Sequence, residues 1–147
     1  MNAGINGFGR FGLHLLKYWL NRSGESNFKI KYINDDALNI NRAIEIIMND
    51  DYVNFNKYKI NRSGDKIIIL EPNGNKHEIL FSNKKHNDIT WMGEPDLFFE
   101  CSGKNTVAKR CQKFLKNKTK MVLISATSIH LIKIHIKMLY TILKKQI

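Results

Sequence analysis

At 147 residues the chain has room for one domain with a real core and too little for two full domains. No charged-then-apolar leader opens it and no run of eighteen apolar residues occurs, so a spanning helix is excluded and the expectation is a cytoplasmic protein. The formal charge of +11 invites a nucleic-acid partner, but the bias lies in Lys (19), Asn (17) and Ile (20) together, the lysines are scattered, and no basic patch is interleaved with aromatic residues, which leaves nucleic-acid binding the weaker reading.

The opening Asn2-Ala3-Gly4-Ile5-Asn6 is a short apolar segment that ends in a glycine-rich turn. From Arg10 the pattern changes to helical spacing, with Leu13, Leu16, Tyr18 and Leu20. Phe28 to Ile33 alternates with period two and stops at Asn34-Asp35-Asp36, which reads as a second strand. Asn39 is placed to cap a helix through Ala43, Ile44, Ile46, Ile47 and Met48, ended by Asn49-Asp50-Asp51. Strand, helix, strand, helix points to an α/β layer fold.

Between about 58 and 82 the texture changes. Ile67 to Leu70 and Ile79 to Phe81 read as short strands joined by the turn Pro72-Asn73-Gly74-Asn75, an antiparallel excursion from the main sheet. Leu97 to Cys101 and Met121 to Ser125 are continuous apolar runs of the kind buried on both faces of a parallel sheet, and Thr106 to Leu115 between them fits a helix.

Gly7-Phe8-Gly9-Arg10-Phe11-Gly12 matches G-x-G-x-x-G, here preceded by a strand and followed by a helix. In that setting Gly7 permits the tight turn, Gly9 lets a pyrophosphate approach the backbone, and Gly12 lets the helix pack closely on its strand. The free N–H groups of the helix's first turn then face the phosphates. Asp35, 23 residues after Gly12 at the end of the second strand, is placed to accept hydrogen bonds from the adenosine ribose hydroxyls. A carboxylate there, with Asp36 beside it, repels the 2′-phosphate of NADP, so NAD is the expected cofactor. The alternative is that Asn34-Asp35-Asp36 merely ends a strand and starts a turn.

Beyond the generic motif, Gly4 to Gly12 resembles the N-terminal signature of glyceraldehyde-3-phosphate dehydrogenases, a glycolytic family of NAD-dependent aldehyde oxidoreductases. Tyr32-Ile33-Asn34-Asp35 is similar to that family's second-strand ending, Glu100-Cys101-Ser102-Gly103 to its Glu-Ser/Cys-Ser/Thr-Gly turn, and Val122 to Ala126 to its Val-Ile/Leu-Ile-Ser-Ala-Pro strand. The resemblance spans residues 1 to about 128 and implies a Rossmann-type parallel sheet. It further implies that Arg10 and Phe11 offer backbone N–H groups to the pyrophosphate and that Asp35 holds the adenosine ribose. Ser102, Gly103 and Ser125 would line the path toward the nicotinamide, and Lys84 would touch adenine through its backbone. Lys84-Lys85-His86 departs from the family's Arg-Asp-Pro, and Thr127 from the Pro after Ser-Ala, so the adenine contact is the less secure one.

The family's nucleophilic cysteine lies in an S-C-T-T-N-C motif that this sequence lacks, and its assisting histidine lies further on. The only cysteines, Cys101 and Cys111, fit neither a redox pair nor a zinc set and read as reduced packing thiols, and no metal is expected from His14, His77, His86, His130 or His135. The expectation is a truncated dinucleotide-binding domain over 1–128, without catalytic residues and inactive alone. The partners that the resemblance implies are NAD and either a separate catalytic domain, as in a split enzyme, or a family homo-oligomer. A basic module binding RNA on the same fold is the competing reading. Residues 129–147 contain no acidic residue, glycine or proline, and Ile132, Ile136, Leu139 and Leu143 fit a helix face as well as Ile132 to Met138 fits a strand. We read this unassigned tail as out-of-frame translation, with a basic amphipathic anchor for membranes or a partner as the functional alternative.

Overall fold

The computed structural model describes residues 1–125. The tail at 129–147, and the readings placed on it, lie outside the described residues.

The chain runs β1 (Asn2–Asn6), α1 (Arg10–Asn21), β2 (Lys29–Asn34), α2 (Ile40–Asn49), β3 (Lys59–Ser63), β4 (Lys66–Leu70), β5 (Lys76–Ser82), β6 (Leu97–Glu100), α3 (Ala108–Cys111) and β7 (Met121–Ile124), with a 3-10 turn at Gln112–Phe114 after α3. One sheet takes up all seven strands in the order β3-β4-β5-β2-β1-β6-β7. β5, β2, β1, β6 and β7 are mutually parallel, and β3 and β4 extend the sheet antiparallel beyond β5. The expected α/β fold with an antiparallel excursion is therefore present, with one refinement: β5 belongs to both parts, parallel to β2 on one side and antiparallel to β4 on the other.

The helices form because their apolar residues fall on one stripe. Gly12, Leu13, Leu16, Trp19 and Leu20 are the buried residues of α1, an i, i+4, i+7 pattern that lays one face on the sheet. In α2 the Asn39 side chain accepts from the Arg42 amide at 2.9 Å, the cap read from the sequence, and Ala43 and Ile47 point inward. These residues join Ile5, Ile33, Ile67, Ile69, Ile79 and Phe99 in the larger core, where each fully buried Leu or Ile contributes about 1.5–3 kcal/mol.

The other face of the sheet carries a smaller aromatic core. Phe98, between Leu97 and Phe99 on β6, points to this side and stacks on Phe114, ring centroids 4.4 Å apart. Trp91 lies against Tyr32 and Phe98 and occupies the space over Gly4, where an added Cβ would stand 2.6 Å from its ring.

Three local expectations change. β3 carries only Ile60 among polar residues, so no alternation announces it, and its pairing with β4 makes it a strand. The helix expected over Thr106 to Leu115 shortens to α3 plus the 3-10 turn. The Asn105 side chain is tied to Glu100, and the chain is still extended at the β-branched Val107 (φ −118°, ψ 141°). β7 is only half-buried rather than buried on both faces, since among the described residues it is the outermost strand beyond β6.

Candidate functional site

Asn6, Asn34, Ser82 and Glu100 are the last residues of β1, β2, β5 and β6, and the parallel register sets them side by side. All four are buried, and each satisfies its polar atoms on its neighbour. Trp91 Nε1 donates to Ser82 Oγ at 2.9 Å, and Ser82 Oγ donates to Asn34 Oδ1 at 2.7 Å. Asn34 Nδ2 then donates to Asn6 Oδ1, and Asn6 Nδ2 to Glu100 Oε2, both at 2.9 Å. The Glu100 carboxylate also accepts from Asn105 Nδ2 at 3.0 Å, from the Ser102 amide at 2.8 Å and from the Ser102 hydroxyl. This polar row fixes the carboxyl ends of four strands and hence the loops that leave them.

A cleft of about 250 Å³ opens just beyond the row, at the ends of β1, β2 and β6. Here the chain leaves β1 on one side for β2 and later returns to the other side as β6, the topological switch point at which open parallel sheets bind ligands. Its volume is below the roughly 300–1,000 Å³ of pockets that enclose small molecules.

The glycine loop forms one wall. Gly7 has φ +94°, and a Cβ on it would lie 2.4 Å from the Ser102 amide nitrogen, so the loops after β1 and β6 touch there. A Cβ on Gly12 would meet the Gly7 carbonyl at 2.3 Å, the close approach of α1 to the turn. A Cβ on Gly9 would meet nothing within 4 Å, which leaves open space at the amino end of α1. That end has no side-chain cap and no acidic residue in its first turn, so its amides are free to meet an anion.

Asp35 lines the cleft beside this loop. Its Oδ2 accepts from the Phe8 amide at 2.8 Å, and its Oδ1 from the Ala37 and Leu38 amides at 2.9 and 3.0 Å. A carboxylate has about four acceptor positions, so one remains for a ligand hydroxyl.

Of the residues singled out from the sequence, Gly7, Gly9, Asp35 and Ser102 line the cleft together. Arg10 and Phe11 begin α1 with their side chains outside the cleft: the Arg10 guanidinium pairs with Asp50 at 2.7 Å and covers the Tyr52 ring, and Phe11 is exposed. Gly103, at φ +72°, completes the turn after Ser102, and the Ser125 amide donates to the Glu100 carbonyl at 2.9 Å. The Lys84 backbone faces inward, its amide donating to Asn34 Oδ1 at 3.1 Å and its carbonyl accepting from Asn34 Nδ2 at 2.8 Å. Sequence reasoning did not include Asn6, His86 or Lys104 in the site and named Asp36 only as the second carboxylate beside Asp35; all four line the cleft. Lys104 and Asn6 were within reach of the rule that ligands sit outside the strand ends at the switch point.

Residues 1–109 match the family model described as glyceraldehyde 3-phosphate dehydrogenase, NAD binding domain. The chain belongs to this family. Relatives of this chain include glyceraldehyde-3-phosphate dehydrogenase 1 of Giardia intestinalis, 32% identical over 129 residues, or 87% of this chain and 36% of the relative. Glyceraldehyde-3-phosphate dehydrogenase 2 of Caenorhabditis briggsae is 27% identical over 128 residues, or 86% of this chain and 37% of the relative. The chain thus spans a little over a third of the length of the curated relatives it matches.

Within this NAD-binding domain the two thiols sit close to the polar row. Burial pushes the Cys101 thiol up to about 12 and the Cys111 thiol to about 11, with the nearby Glu100 charge adding to both. Among the described residues, which include no cluster of metal-ligating side chains, no helix is long and apolar enough to cross a membrane.

Proposed function

We propose that this chain binds NAD in preference to NADP and serves as the cofactor-holding part of an aldehyde-oxidising dehydrogenase. The observation that carries the reading is the open space at Gly9 in front of the uncapped amino end of α1, in a cleft that Asp35 also lines. In this reading the pyrophosphate lies over Gly9 against the amides of Arg10, Phe11 and Gly12, as anions do at helix N-termini. The adenosine ribose donates to the free acceptor position of Asp35. The nicotinamide runs toward Ser102, Gly103 and Ser125, and adenine lies beside Lys84 on the second lone pair of its carbonyl. When bound, NAD supplies a hydride acceptor. The chain's own residues bind and orient it: the polar row holds the loops still, and the Gly7 turn keeps the β1 and β6 ends in contact.

No thiolate is on offer for covalent chemistry in this domain, because Cys101 and Cys111 stay protonated at neutral pH. We therefore assign the nucleophile to a catalytic domain beyond this one, and the chain alone to cofactor binding without aldehyde oxidation. Calorimetric titration of the chain with NAD is expected to show saturable one-to-one binding. No binding at millimolar NAD overturns the reading.

A further inference from the structure

We propose that Asn73 is a site of self-modification: its side-chain amide is lost by deamidation through the Gly74 nitrogen, and the carboxylate that forms loosens the β4–β5 hairpin from α1. Of the 17 asparagines only Asn6 and Asn73 precede glycine, whose missing side chain leaves its amide free to approach the preceding side chain.

In the reaction the Gly74 nitrogen gives up its proton to solvent base and bonds to Cγ of Asn73. The Cγ–Nδ2 bond breaks, and the side-chain amide leaves as ammonia. Water then opens the cyclic imide. Opening at Cγ gives aspartate, and opening at the main-chain carbonyl gives isoaspartate, in which the backbone runs through the side chain and is longer by a carbon.

The fold treats the two Asn-Gly pairs in opposite ways. Asn6 is buried, with its amide engaged by Asn34 and Glu100. The Gly7 amide donates to the Asn34 carbonyl at 2.8 Å, and the Ser102 backbone stands 2.4 Å from the Cβ position of Gly7, so an imide ring has neither room nor water there. Asn73 and Gly74 are both exposed, and nothing lies within 4 Å of the Cβ position of Gly74. The Asn75 amide donates to Asn73 Oδ1 at 2.9 Å and draws electron density from the carbon under attack. The Gly74 amide donates to the Glu71 carbonyl at 3.0 Å, a bond that an exposed turn opens without unfolding the sheet.

The consequence runs through Glu71. Asn73 Nδ2 donates to Glu71 Oε2 at 3.0 Å. Glu71 Oε1 accepts from Ser23, just past the end of α1, and meets His77 Nε2 on β5, both at 2.5 Å. Burial raises the Glu71 carboxyl, but the hydrogen bonds from Ser23, His77 and Asn73 outweigh it and hold the group below its usual value, so it is ionised at neutral pH. Deamidation replaces the Asn73 donor with a second carboxylate at the same contact, and the like charges repel. Isoaspartate also lengthens the chain between Glu71 and Asn75, whose backbone bond at 2.9 Å closes the turn.

The test is to age the full chain at mildly alkaline pH, native and in urea, and to follow each asparagine by peptide mapping with mass spectrometry. Native Asn73 is expected to convert within about fivefold of its rate in urea, and native Asn6 to be slowed by more than that. Native Asn73 slowed beyond that factor, or native Asn6 converting as fast as Asn73, overturns the site. Asn73→Asp supplies the aspartate product directly and is expected to lower the urea midpoint, with a smaller loss when Glu71→Gln is also present. An unchanged midpoint, or an equal loss in both backgrounds, overturns the link to Glu71.

Discussion

The Asp35 carboxylate accepts the Phe8 amide at 2.8 Å, fastening the glycine loop to the end of β2 across 27 residues of sequence. The same side chain takes the Ala37 and Leu38 amides, so it organises two loops at once. Asp35→Ala leaves these N–H groups without their acceptor in a site where Asp35 is 9% exposed. The expected result is a loss of about 2 kcal/mol in urea unfolding, together with loss of NAD binding. Unchanged stability would show that water replaces the carboxylate.

Gly7 and Gly9 make opposite predictions from neighbouring positions. Gly7→Ala forces a side chain into φ +94° and against the Ser102 backbone, so the folded state is expected to lose about 3 kcal/mol or more. Gly9→Ala meets open space at an ordinary φ of −79°, and its unfolding midpoint is expected to change by less than about 0.5 kcal/mol equivalent while NAD affinity falls. Parallel urea melts and NAD titrations separate the two.

The thiols offer a chemical readout. With Cys101 pushed up to about 12 and Cys111 to about 11, almost no thiolate exists at pH 7.5. Iodoacetamide is expected to label both in urea and neither in the native chain over the same interval, read by intact mass. Fast native labelling of Cys101 would point to an activated thiol beside the cleft and would remove the argument that this domain lacks a nucleophile.

Acid stability carries a signature from the antiparallel part of the sheet. Glu78 sits between Lys76 at 2.7 Å and Lys66 at 3.0 Å, and their hydrogen bonds and charges hold its carboxyl down to about 2 from an ordinary 4.5. A depressed folded value means the contribution is fully present above pH 4.5 and is lost as the pH falls toward 2. Glu78→Gln is expected to flatten the fall of Tm with pH across that window, by a modest amount because the group is exposed and screened.

The local elements were legible in the sequence because their signals are local. The α1 stripe, the Asn39 cap, the alternation of β2 and the turn at 72–75 depend on residues two to four positions apart, and each stands where the pattern placed it. β3 was not legible, since a strand with Ile60 as its one partly buried residue has no alternation to read. The helix at Thr106 to Leu115 was overread, because its spacing took no account of Asn105 being held by Glu100.

What the sequence by itself determined was the family, the α/β order and the glycine turn, with Asp35 at the distance the motif requires. The tertiary structure decided the rest of the site. Strand order, invisible to periodicity, brings Asn6 beside both Asn34 and Glu100 and carries Lys104 over the end of β1 to Asp36, 68 residues away. The physical reason is that a parallel sheet aligns strand ends by register, so residues with no sequence relationship become hydrogen-bonded neighbours only once the strands are in place.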